Sequence, residues 1–419
     1  MSAGARGLGS IEPVEASGLD LVGYSELDDR PAFKLAIQEV GRRWYLYCGH
    51  LWHRGWSIVD VTDPTDPQVV RFVPGPPDTW TIQVNVADGL MVTALQRIPP
   101  QWGGRAGATF EEAAIVWDVR EPTEPRRLSQ VSLGGTGSHR NFWAGGRWLH
   151  MAANPAGYRG YVYVTIDLAD PSNPREGGRW WLRGQGPDEE PASEAEGVSL
   201  HGPPYVAGDR AFLSYGGAGM VVLDVADPAQ PSLVSRFPVA PPFHGGLWGS
   251  GVHTALPLTR RGLVVANGEA HEEGCHEPLD FAGIVDVADD RAPVLRSILP
   301  LPVPSPGLPY VSYCDKGGRF GPHNTHLPQG HSDHEDRDDR VYLTWFNAGL
   351  RVYDIRDPRV PREIACFVPP DPVRRYGPLP ATALAAQSED VLVDRRGFIY
   401  LTDKNQGLFV LRLATEVET

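Results

Sequence analysis

Apolar strand segments that end in aspartate, proline-bearing turns behind them, and a spacing of 49 to 68 residues between copies together predict an all-β fold. The unit they describe is a four-stranded blade, and the predicted architecture is a seven-bladed β-propeller. Six copies stand out in order: "WSIVDVTDPTDPQVV" from Trp56, "AIVWDVREPTEPRRL" from Ala114, "VYVTIDLADPSNPRE" from Val162, "MVVLDVADPAQPSLV" from Met220, "AGIVDVADDRAPVLR" from Ala282 and "LRVYDIRDPRVPREI" from Leu350. A degenerate seventh, "GLFVLRL", ends at Leu413.

Each element has a local cause. β-Branched and aromatic residues make the segment before Asp60, Asp118, Asp167, Asp224, Asp286 or Asp354 a strand. The proline after it fixes φ and the aspartate caps the reversal. A further strand follows, as in "QVVRFV" from Gln68 or "LVSRF" from Leu233. Two more precede it, as in "EDVLVDRRGFIYLTD" from Glu389, where Arg395–Gly397 is the hairpin turn. Nothing strand-like follows "LFVLRL", and "LDLVGYS" from Leu19 is free to supply the missing outer strand and close the ring. The expected organisation is an extension over 1–17, one propeller over 18–413 and a tail over 414–419.

The segments "VVLDVADPAQP" and "LRVYDIRDPRVP" resemble the LVIVD-repeat family of β-propellers. That resemblance implies the fold and little about function, because a propeller hosts many chemistries.

Composition narrows the partners. The chain is 41% hydrophobic and 21% charged, ordinary globular material, and its 47 glycines and 40 prolines imply many turns. A net charge of −14 without a basic stripe argues against nucleic acid or an anionic membrane as the main partner. The N-terminal "MSAGARGLGSIEP" lacks the apolar core of a signal peptide, and no apolar run is long enough to span a bilayer. The scattered Cys48, Cys275, Cys314 and Cys366 read as free thiols in a reducing cytoplasm; a Cys275–Cys314 link or a cysteine ligand are the alternatives.

The histidines fall in phase with the repeat. In a propeller the innermost strand of each blade lines the central channel, with its first residue at one mouth. His139 in "SHRNF", His201 in "LHGPPYV", His253 in "VHTALPL" and His323 in "PHNTHLP" occupy that place in four consecutive blades. They are the expected metal ligands, with His326 the alternative to His323. Any one of them alone reads as a structural histidine kept through duplication. The loops on the same face are long, among them "NGEAHEEGCHEPLDF" from Asn267 and "PLPVPSPGLPYVSYCDKGGRFG" from Pro300, and loops built up on one side of a scaffold carry function. In the first of these, His271, Glu272, Cys275 and His276 read as an exposed acidic loop, with a lid, a set supporting the ligands or a second metal site as the alternatives. "HSDHEDRDD" from His331 falls on the other face and reads as a solvated charged loop.

Neutral imidazoles suit Fe(II) best here, with Cu, Mn or Zn as alternatives, whereas Ca and Mg want oxygen. An all-histidine set leaves the ion its full charge and open positions for O2 or a carbonyl. Glu389 and Glu269 are the expected catalytic carboxylates, and Glu389 is also placed to orient a ligand. Lys34, His53, Trp80, Gln83 and Tyr313 are the expected substrate contacts, for an apolar or aromatic small molecule. Four axial histidines resemble those of the carotenoid cleavage oxygenases, with a methanethiol oxidase family of propellers as a second comparison. This likeness of arrangement implies O2-dependent oxidation at a non-haem metal. The competing readings are a metal-dependent lyase, isomerase or hydrolase on the same residues, and a non-catalytic binding scaffold. No GxSxG, Walker A or HExxH motif is present.

Overall fold

The computed structural model describes residues 11–191, 198–239, 251–278, 280–326, 328 and 331–414. Among them the strands pair into six antiparallel sheets, five of four strands and one of nine. The first, over 32–74, is an up-and-down run of Ala32–Val40, Arg43–His50, Gly55–Asp60 and Gln68–Pro74. The nine-stranded sheet holds two such runs, 84–131 and 137–180, joined through the single pairing of Gly137 with Gln96. Four-stranded sheets over 205–237 and 254–298 follow.

The last two sheets, 340–368 and 388–413, supply three consecutive strands each and take a fourth from the beginning of the chain. Glu15–Ser17 pairs with Arg362–Val368, and Leu19–Ser25 pairs with Leu408–Leu413. The extension expected over 1–17 therefore gives its last residues to a sheet. The reason is the open edge at Val368, whose carbonyl accepts from Val14 N at 2.9 Å.

The aspartate turn is the same device wherever it occurs. In six sites the carboxylate accepts the backbone N–H two residues on: Asp60 from Thr62, Asp118 from Arg120, Asp167 from Ala169, Asp224 from Ala226, Asp286 from Ala288 and Asp354 from Arg356, all at 2.8–3.1 Å. This Asx turn stops the strand and starts the reversal. A register shift near the end of the same strand, as between Ile58 and Val59 or Val222 and Leu223, increases its twist.

Apolar clusters join each sheet to the next. Tyr47 and Trp56 of 32–74 meet Met91 and Trp117 of the following run, and Met220 and Val222 meet Val264 and Val285. Ile37 and Leu46 also pack on Tyr400 and Val410, so the last sheet lies against the first. One predicted strand is missing: residues 322–326 are irregular, yet His323 N donates to Thr344 O at 2.9 Å and His326 N to Tyr342 O at 3.1 Å. The segment still lies along Arg340–Thr344 as an innermost strand would.

Candidate metal centre and cavity

Three of the innermost strands carry register shifts at one level, skipping Phe33–Lys34, His139 and Glu389–Asp390. A bulge breaks the in-out alternation of a strand and re-aims side chains. Here it brings Phe33, His139, Arg140 and Glu389 together on the wall of one cavity of about 670 Å³. His201 and His253 precede their strands and are fixed by backbone bonds, His201 N to Ser214 O at 3.0 Å and His253 N to Asn267 O at 2.7 Å.

The four predicted imidazoles lie in sequence around one point. Ring centroids of His139 and His201 are 4.7 Å apart, of His201 and His253 5.0 Å, and of His253 and His323 4.9 Å. Each of three has its Nδ1 engaged: His139 with Gln96 Oε1 at 2.7 Å, His253 with Thr254 Oγ1 at 2.9 Å, His323 with Glu389 Oε2 at 3.2 Å. Thr254 Oγ1 donates onward to His323 O at 3.1 Å, so it accepts from His253. Nδ1 is thus the protonated nitrogen of His139 and His253, and their Nε2 keeps its lone pair. Burial holds His139 and His253 well below the usual histidine range and brings His201 down to about 3, so all three are neutral.

Glu269 changes the expected donor set. Its Oε2 lies 3.5 Å from His201 Nε2, 3.6 Å from His253 Nε2 and 3.7 Å from His271 Nε2, and it has no hydrogen-bond partner. Its Oε1 accepts from Arg319 Nη1 at 3.0 Å and stands 3.7 Å from His323 Nε2. Burial works against its charge, and the Arg319 guanidinium is the cation that favours it. Glu269, expected from the sequence as a catalytic carboxylate, thus lies among the four expected ligand imidazoles. His201, His253 and Glu269 are the tightest group, their donor atoms all within 4.8 Å. Ligands at ~2.1 Å from one ion stand ~3.0–3.4 Å apart, close to the separations here.

The other expected residues are divided. Glu389 is fully buried between Lys404 Nζ at 2.7 Å and His323; burial raises its pKa, but Lys404 and His323 pull it to about 2. His326 is not an alternative ligand: Nδ1 accepts from Val393 N at 3.0 Å and Nε2 donates to Glu335 O at 3.1 Å. Trp80 lines the cavity. Lys34 instead pairs with Asp390 at 2.6 Å and, with Gln83, borders a separate narrow space of about 20 Å³. His53 sits against Tyr376, away from the cavity lining. Tyr313 is in the core, its hydroxyl bonded to Glu15 and Arg351. The charged run from His331 also departs from expectation, since Asp333 and His334 are buried and Asp333 accepts from Glu39 N at 2.7 Å.

Cys275 and Cys314 form a disulfide, and Cys48 and Cys366 are free and buried. The bond ties the loop bearing Glu269 and His271 to the short helix Tyr313–Lys316. Of the two readings of Cys275 and Cys314, the link rather than the free thiols is the one found. Among the described residues no helix is long and apolar enough to cross a membrane.

Comparison with known proteins agrees on the fold. The LVIVD repeat model matches residues 205–239. The WD40 repeats of RRP9 superpose with a TM-score of 0.53 at 9% identity, covering 98% of this chain and 99% of that one. The β-propeller domain of Myceliophteria thermophila Cps50 (Swd1) gives 0.54 at 12%, covering 95% and 100%. A protein from Lactobacillus plantarum gives 0.50 at 12%, covering 89% and 90%. At these identities the likeness speaks to fold alone. Nothing in these comparisons supports the likeness to carotenoid cleavage oxygenases, and no curated protein sequence matches. The chain has an all-β, propeller-like fold and carries an LVIVD repeat at 205–239.

Proposed function

We propose that this chain is a metal-dependent oxidoreductase whose ion is held by His201, His253 and Glu269, with His139, His271 and His323 bordering it. The observation that carries the reading is Glu269 Oε2, a buried carboxylate oxygen without a hydrogen-bond partner, facing three imidazole nitrogens. Nε2 of His139, His253 and His271 is likewise buried and unpartnered. Lone pairs turned toward one another repel, and a cation among them removes the repulsion. Two histidines and one carboxylate with open positions form the donor set of non-haem Fe(II) enzymes, so Fe(II) is the proposed ion, ahead of Cu, Mn and Zn.

The ion, when bound, supplies a Lewis-acid centre for O2 or a carbonyl. The chain's own residues do the rest. Gln96, Thr254 and Glu389 fix the imidazoles, Arg319 fixes Glu269, and the aromatic cavity wall excludes water from an apolar or aromatic small molecule. We read the sheets as seven blades around this centre, the nine-stranded sheet counting as two and Leu19–Ser25 closing the ring. Supporting this are the apolar clusters between successive sheets, including the last and the first.

Elemental analysis of the chain, purified without tag or chelator, tests the proposal. Near-stoichiometric iron is expected, with a loss of affinity of roughly tenfold or more in His201→Ala and Glu269→Gln and unchanged circular dichroism. Zinc instead of iron would favour a lyase or hydrolase. A metal-free wild-type chain that takes up no added Fe(II) would sink the reading and leave a binding scaffold.

A further inference from the structure

The metal centre leaves one charge in the cavity without a task. Arg140 lines the cavity and is 2% exposed. Among the described residues no carboxylate lies within ion-pair distance of it. Its one hydrogen bond there runs from Nη1 to His139 O at 3.2 Å, and its Nε has no partner. The other cations nearby are engaged: Arg319 with Glu269, Lys404 with Glu389, Lys34 with Asp390, and Arg159 with the carbonyls of Gly184, Gly186 and Glu189. A buried guanidinium is costly unless an anion and hydrogen-bond acceptors meet it, and the neighbouring carboxylates already have partners.

What surrounds Arg140 is aromatic. Its guanidinium lies 5.0 Å from the centre of the Phe33 ring. Tyr161 stacks on His139 at 5.4 Å and Trp80 lies 6.3 Å from the same imidazole. A guanidinium fork matches a carboxylate bidentately, and these rings would cover a flat apolar body.

We propose that Arg140 receives the carboxylate of an aromatic acid, whose ring packs on Phe33, Trp80 and Tyr161 beside the metal centre. The assignment rests on the metal-centre reading for the fate of this ligand, not for its binding. It names the substrate class as aryl or arylalkenyl carboxylates. A neutral or cationic ligand would leave the guanidinium unmatched.

The test is calorimetric titration of the full chain, metal-loaded and chelator-treated, with benzoate, cinnamate and 3-phenylpropanoate, each against its amide. At least one acid is expected to bind about tenfold or more tighter than its amide. Arg140→Gln should abolish that preference while keeping wild-type metal content, and Arg140→Lys should retain part of it. Equal affinity for acid and amide, binding by none of the three acids, or a preference that survives in Arg140→Gln would overturn the assignment. Should Arg140→Gln fail to fold, the wild-type comparison of acid with amide decides alone. A chain that prefers acids but holds no metal would support Arg140 and refute the metal centre. One that holds iron without any preference would do the reverse.

Discussion

Glu269 and His326 show how far a residue's role depends on its last few ångströms. In the "PHNTH" segment His323 is the expected ligand and His326, three positions on, the alternative. His326 spends both nitrogens on backbone groups of Val393 and Glu335, whereas His323 shares one with Glu389. His326→Ala should therefore cost about 1–3 kcal/mol, because a buried N–H loses its acceptor, and leave metal content unchanged; denaturant melts and elemental analysis check both. Asp280 makes a second case. Burial, with Glu277 and Glu269 nearby, pushes its carboxyl up to about 9. A folded state that keeps this proton between its ordinary value of 3.8 and about 9 loses stability as pH rises through that window. Asp280→Asn should raise the melting temperature at pH 8 more than at pH 5.

At the scale of strands and loops, what was legible in the sequence was the turn chemistry. An aspartate whose carboxylate caps the residue two places on, followed by proline, is a local instruction, and six Asx turns follow it. The histidine level was legible for the same reason, since it is counted from those turns. Other features were not. Glu269 was expected as a catalytic carboxylate, but the length of its loop conceals that it reaches in among the four imidazoles. Strict alternation would send Arg140 away from the face that His139 occupies, and only the bulge at His139 brings both to the cavity. The disulfide acts at this scale too. It closes a 39-residue separation around the Glu269 loop, worth about 3–4 kcal/mol if the unfolded chain bears the entropy. Reduction should lower the unfolding midpoint and speed metal loss to a chelator, measurable in one stopped-flow trace with and without dithiothreitol.

For the whole molecule, neutral histidines set the acid limit. Burial brings His50, His150 and His326 each down to about 4. Between the ordinary value of 6.5 and about 4 the unfolded chain binds more protons than the folded one, so stability falls as pH falls through this window. Each site removes up to about 3 kcal/mol by the time the pH has fallen through the window. Chemical denaturation at pH 7, 5.5 and 4.5 should show the midpoint dropping steadily, with a shallower drop in His150→Phe.

The strands that complete the last two sheets have a consequence for how the molecule is made. Leu19 is synthesised well before Leu413, with which it pairs, and Glu15–Ser17 well before Arg362–Val368. At roughly 5–20 residues per second that interval is about 20–80 s. Throughout it the early segment waits with its backbone unmatched while the intervening sheets form. The last two sheets are thus completed late, in a step that depends on these earlier-made residues still being free.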